Sequence, residues 1–165
     1  MRGEAGVALT CKKLASAFHA EMINMNELKH LNRSVGQNTY HLIWKPKWSH
    51  SILTGSVRNC CFAAIKMVSN RYKMRIIEME IMPDHIHCFL ELKPDMSICK
   101  AFQLLKGYSS KKIFEHFPKL RKKFTTGHLW SPGKFFRSVG SVTSEAIKHY
   151  ISHSNRQQLE RYPVL

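Results

Sequence analysis

The triplet His85-Ile86-His87 opens a run that ends Phe89-Leu90-Glu91-Leu92, and its branched and aromatic residues read as a β-strand. A strand sends alternate side chains to one face, so the two imidazoles stand side by side on one surface. Two neutral imidazoles at this spacing can share one divalent metal, and a metal held by only two protein side chains has room for a third ligand and a substrate oxygen. Such a site suits chemistry as well as folding. The plainer alternative puts one ring in solvent and the other in a polar gap, so the surrounding residues must decide.

A second group lies far along the chain. Ile147, Tyr150, Ile151 and Ser154 recur at three- and four-residue spacing, which places Tyr150 on the apolar stripe of a last helix. A tyrosine on such a stripe is ordinarily core. Beside a metal-bearing sheet face it gains another use, because a phenol oxygen can attack phosphorus once a metal withdraws charge from the phosphate. Between the two groups, Lys106-Gly107-Tyr108-Ser109-Ser110-Lys111-Lys112 mixes lysines, hydroxyls and an aromatic ring, which suits holding phosphates and stacking on a base.

The elements that must position these residues follow from pattern. Tyr40 to Trp44 is a first strand stopped by Pro46, and Ser56 opens a helix whose apolar stripe is Val57, Cys60, Cys61, Ala64, Met67, Val68 and Tyr72. Arg75 to Ile81 and Ile86 to Leu92 form a hairpin across Met82-Pro83-Asp84. On its second strand Ile86, Cys88, Leu90 and Leu92 make an oily face for helices, leaving His85, His87, Phe89 and Glu91 on a polar face open to a partner. Pro94-Asp95-Met96-Ser97 caps a second helix that Gly107 ends or interrupts, a loop with Pro118, Gly127 and Pro132-Gly133 follows, and Lys134 to Val139 is a fourth strand. Thr143 or Ser144 caps the last helix. The order predicts an α+β fold: a ferredoxin-like, RRM-like β-α-β-β-α-β antiparallel sheet with helices on one face and an added C-terminal helix that carries Tyr150. Residues 1–36 read as an N-terminal extension, with a short helix from Lys12 to Met22 and a polar connector from Asn32 to Asn38, and 37–165 as the single functional domain.

Charge narrows the partner. The chain of 165 residues carries 26 Lys and Arg against 11 acids, a formal net charge of +15, which exceeds what solubility needs. From Lys100 to Arg137 there are ten Lys and Arg against the single acid Glu115. Nucleic acid is the leading partner, and an acidic membrane surface is disfavoured because no long basic amphipathic helix is evident. No apolar run nears the ~18 residues that span a bilayer, and no signal peptide is visible, so a cytoplasmic protein is expected. Cys11, Cys60, Cys61, Cys88 and Cys99 contain no Cys-x-x-Cys pair and read as reduced core thiols.

Five blocks then occur in one order: Tyr40-His41-Leu42-Ile43-Trp44-Lys45-Pro46-Lys47, Pro83-Asp84-His85-Ile86-His87, Leu105-Lys106-Gly107-Tyr108-Ser109-Ser110 with Leu129-Trp130, Ser138-Val139-Gly140, and Ile147-Lys148-His149-Tyr150-Ile151. From about Tyr40 to Asn155 the chain resembles the TnpA-type transposases of small prokaryotic insertion sequences, the one-tyrosine class of HUH endonucleases. The resemblance implies an enzyme that cuts and rejoins single-stranded DNA through a 5′-phosphotyrosine, with His85 and His87 on Mg²⁺ or Mn²⁺ and Tyr150 as nucleophile. It also implies a homodimer that binds hairpins at element ends, the histidines of one subunit pairing with the tyrosine helix of the other. Lys106, Tyr108, Ser109, Lys111 and Lys112 are the expected DNA backbone contacts.

Two departures from the family pattern stand out. The family commonly places a third ligand, often an amide, one turn after the tyrosine, where this chain has Ser154; His153 lies on nearly the same face, and either is a possible third ligand. Similar proteins also begin shortly before the first strand, so Met25 is a candidate original start. Three other readings remain open on sequence: a domesticated relative that processes chromosomal repeat hairpins, a non-catalytic ferredoxin-like nucleic-acid-binding module, and a nuclease that activates water with Tyr150 as packing.

Overall fold

The computed structural model describes residues 29–31, 34–36, 38–124 and 126–139. Strands β1 (Lys29–Leu31) and β2 (Ser34–Gly36) pair as a small antiparallel ribbon of their own. Part of the stretch expected as a polar connector is thus a strand. The main sheet contains β3 (Thr39–Trp44), β4 (Arg75–Ile81), β5 (Ile86–Glu91) and β6 (Phe135–Ser138) in the order β4-β5-β3-β6, with every neighbour antiparallel. Helices α1 (Gly55–Arg71) and α2 (Ile98–His116) follow β3 and β5, which gives the expected β-α-β-β-α-β order of a mixed α/β fold with an antiparallel sheet flanked by helices.

Alternation decides which side of the sheet becomes core. Leu42 and Trp44 of β3, Ile86, Cys88 and Leu90 of β5, Cys61, Ile65 and Val68 of α1, and Phe102 and Leu105 of α2 belong to one buried cluster. Met67 and Tyr72, assigned to the α1 stripe from spacing, are exposed, and Ile65 takes a buried place instead. Helix α1 begins one residue before Ser56, at Gly55, whose φ of +49° suits a residue without a Cβ.

Helix α2 departs more from expectation. Gly107 neither ends nor interrupts it, and the helix runs on to His116 because Leu105, Ser109, Ile113 and Phe114 continue its buried stripe past the glycine. Its start is as read: the Ser97 side chain accepts a hydrogen bond from Lys100 N at 3.2 Å. A short helix α3 (Pro118–Lys123) occupies part of the stretch read as loop, with proline at its first turn, where the missing N–H costs nothing. Cys60, Cys61 and Cys88 are buried thiols, as anticipated, but Cys99 is exposed on α2. Among the described residues no helix is long and apolar enough to cross a membrane.

Candidate active site

The histidines converge from two strands. Asp84 ends the β4–β5 turn, where Met82 N bonds to His85 O at 2.9 Å and Leu53 N to Pro83 O at 2.9 Å, so the backbone entering β5 is held on both sides. His85 and His87 then point to one face, as the alternation required. Their Nε2 atoms lie 3.0 Å apart, and His85 Nδ1 is 2.7 Å from Asp84 Oδ1. A third ring joins them from β3: His41 Nε2 lies 2.9 Å from His87 Nδ1. Antiparallel register explains the meeting, because β3 sets His41 opposite Phe89 and Ile43 opposite His87, leaving His41 on the diagonal to His87. His41 also stacks on Phe89 with ring centroids 4.2 Å apart and planes 2° from parallel.

The histidine-bearing face is not open, as the pattern suggested. His41, His85 and His87 are 2%, 7% and 5% exposed, and Thr39, Phe89 and Glu91 on the same face are buried as well. Glu91 on this face has its partner beside it: Glu91 Oε2 accepts from Arg75 Nε at 2.7 Å, directly across the β4–β5 pair. Burial chiefly, and then the charges of His85 and His41, pull the His87 pKa from 6.5 to about 4, with Asp84 opposing. Burial, and then Arg137, pull that of His41 to about 4. Both rings are therefore neutral near pH 7, the state in which an imidazole nitrogen has a lone pair to donate.

The donor set fits a divalent ion. Two nitrogens each about 2.1 Å from one ion stand about 3.0 Å apart at a right angle and about 3.4 Å apart in a tetrahedron. The observed 3.0 Å between the Nε2 atoms matches the right angle of octahedral coordination. Asp84 stands where an outer carboxylate would fix the ring and tautomer of a ligating histidine. Among the described residues, no group of three or more His, Cys, Asp or Glu is arranged to hold a metal, so the two imidazoles alone would leave most of a coordination shell to other ligands. Tyr150, His153 and Ser154 lie outside the described residues.

The basic segment divides. Ser109 is fully buried: its hydroxyl bonds to Leu105 O at 2.6 Å and accepts from Trp130 Nε1 at 3.1 Å, which places it inside the fold and away from any backbone phosphate. Lys106 Nζ bonds to Ser131 O at 2.6 Å and Gly133 O at 3.3 Å, and burial lowers its pKa, with Lys134 adding to the effect. Lys111 and Lys112 stand at the surface beside Glu115, Lys112 Nζ being 2.8 Å from its carboxylate. Tyr108 is half-buried, with Lys112 Nζ 5.9 Å from its ring centroid.

Sequence reasoning singled out His85 and His87 but gave no chemistry to His41. The signal was present. Tyr40, Leu42 and Trp44 take one face of β3, so His41 must take the other, and the antiparallel partner of that face carries His87.

Residues 34–154 match the family profile described as "Transposase IS200 like". The chain is 32% identical over 132 residues to the ISDra2 transposase TnpA of Deinococcus radiodurans, covering 80% of this chain and 94% of that protein. It is 31% identical over 129 residues to the transposase for insertion sequence element IS200 of Salmonella typhimurium, covering 78% and 84%. A crystal structure of a putative transposase from Deinococcus radiodurans R1 superposes with a TM-score of 0.64 at 29% identity, over 76% of this chain and 96% of that one. The fold also matches a REP-associated tyrosine transposase bound to a REP hairpin, with a TM-score of 0.53 at 16% identity, over 82% and 76%. With its sheet, its paired histidines and these relatives taken together, the chain belongs to the IS200/TnpA-like family of HUH transposases, which are nucleic-acid-binding enzymes.

Proposed function

We propose that the protein is a DNA transposase that cleaves and rejoins single-stranded DNA at insertion-sequence ends through a 5′-phosphotyrosine on Tyr150. The observation that carries this reading is the convergence of His85 and His87 Nε2 at 3.0 Å on a buried face backed by Asp84. His85 and His87 hold Mg²⁺ or Mn²⁺, with Ser154 or His153 as the third protein ligand. The ion's contribution is to withdraw charge from the scissile phosphate.

The covalent steps belong to the chain and the DNA. The Tyr150 phenol gives up its proton, the bond from its oxygen to phosphorus forms as the bond from phosphorus to the 3′ oxygen breaks, and the 3′ oxygen leaves with a proton. The tyrosine ester keeps the energy of the broken phosphodiester, so attack by a free 3′-OH rejoins DNA without nucleotide hydrolysis. Lys111 and Lys112 contact the DNA backbone, Tyr108 offers a face to a base, and Lys106 holds the loop beside them. The enzyme works in the cytoplasm as a homodimer on DNA that carries hairpins at the element ends, each active site combining histidines of one subunit with the tyrosine helix of the other.

The test is an adduct. Wild type, Tyr150→Phe and His85→Ala are incubated with Mn²⁺ and labelled single-stranded DNA carrying the element end, then run under denaturing conditions. Wild type forms a denaturant-resistant protein–DNA species, and both variants lose it along with cleavage. Cleavage by Tyr150→Phe identifies a water-activating nuclease instead. Undiminished cleavage by His85→Ala removes the metal assignment.

A further inference from the structure

His41 contacts His87 through Nδ1, on the opposite side of the ring from the Nε2 that faces His85. It is therefore placed to act on a ligand and not to be one. Three contacts run in a chain: Asp84 Oδ1 to His85 Nδ1 at 2.7 Å, His85 Nε2 to His87 Nε2 at 3.0 Å, and His87 Nδ1 to His41 Nε2 at 2.9 Å. A carboxylate accepts, so Asp84 favours a proton on His85 Nδ1 and leaves the Nε2 of that ring to face an ion.

A ligating nitrogen carries no proton, so His87 can bind an ion at Nε2 only after its proton sits on Nδ1. His87 is buried, and its Nδ1 lies 2.9 Å from His41 Nε2, which can accept that proton. We propose that His41 is the positioning residue of this site: it accepts from His87 Nδ1–H in the metal-bound protein and holds that ring in its ligating tautomer.

The Asp84 carboxylate fixes the tautomer of His85 in the same way. Each ligand thus has its own outer partner, a carboxylate for His85 and an imidazole for His87. Stacking on Phe89 at 4.2 Å, with planes 2° from parallel, fixes the plane of the His41 ring and so the direction of its Nε2 lone pair.

The proposal rests on His85 and His87 being metal ligands, and the experiment separates the two. Mn²⁺ affinity is measured by the electron paramagnetic resonance of free ion for wild type, His41→Phe and His41→Gln, with no DNA present. Phenylalanine keeps the stack on Phe89 and removes the acceptor; glutamine restores an acceptor oxygen. His41→Phe is expected to lose about 10–100-fold in affinity, the usual effect of removing an outer partner, and His41→Gln to recover part of it. Equal affinity of His41→Phe and wild type overturns the role of His41 alone, whereas wild type that binds no Mn²⁺ overturns the metal reading on which it stands. Nitrogen-15 spectra of the Mg²⁺-loaded wild type give a reading free of any folding defect. They should show the proton of His87 on Nδ1 and that of His41 on Nδ1, and a proton on His41 Nε2 in the loaded state defeats the proposal.

Discussion

Trp130 donates its indole N–H to the Ser109 hydroxyl across 3.1 Å, and Ser109 passes its own proton to Leu105 O at 2.6 Å. The contact ties the loop before β6 to the middle of α2 in a fully buried place. Ser109→Ala strands the Trp130 N–H without a partner, which costs about 1–3 kcal/mol. Urea unfolding measures the loss. Affinity for single-stranded DNA under conditions where the variant stays folded should be close to that of wild type, and a selective loss of binding would return Ser109 to the DNA surface.

Gly107 gives the opposite sign. It lies inside α2, and a Cβ built there meets nothing within 4 Å. Gly107→Ala should therefore raise the stability of the free protein by about 0.5–1 kcal/mol, since alanine loses less backbone entropy in a helix. A lower unfolding midpoint would mean that the backbone at this point is not helical in solution.

Lys106 joins the same region by charge. Its ammonium caps the carbonyls of Ser131 and Gly133, two residues before β6 begins. Lys106→Met removes charge-assisted bonds worth about 1.5–3 kcal/mol each in comparable settings. Amide exchange should accelerate at residues 131–139 while the amides of β5 keep their protection; unchanged exchange in the loop would show that the ammonium holds nothing in place.

The buried histidines set a pH dependence of stability in the metal-free protein. His41 and His87 have folded pKa values of about 4, below the ordinary 6.5. Between those values the unfolded chain binds protons that the folded chain refuses, so stability is full above about pH 6.5, falls as pH drops toward 4, and loses nothing more from these groups below it. Replacing Arg137, which faces His41 across the β3–β6 pair, should ease protonation of that ring. Arg137→Gln is expected to raise the His41 titration midpoint seen by proton NMR, and a downward shift would contradict the charge effect.

Much of this was legible in the chain, for a physical reason. Period-two alternation in Ile86 to Leu92 and the turn chemistry of Pro83-Asp84 decide a hairpin locally, so the pairing of His85 with His87 needed no tertiary information. Gly107 misled because a glycine's helix penalty of about 1 kcal/mol is small beside the burial of Phe102, Leu105 and Ile113 on the same helix. Ser109 misled because its neighbours are lysines, whereas its own position continues the stripe of Leu105 and Ile113. His41 escaped notice because its role comes from register between strands, which no window along one strand contains.

That register also makes the site a sensor of its own folding. His41 and His87 stand 46 residues apart in the chain and meet only across the completed β3–β5 pair, at the centre of a four-stranded sheet. The unfolded chain keeps the His-x-His triplet but lacks the acceptor that readies His87. An ion that prefers the native arrangement acts on the equilibrium by mass action, adding about 2.7 kcal/mol at a free concentration one hundred times its Kd. Under the proposed metal reading, the supply of divalent ion would act on the folded population as well as on the reaction.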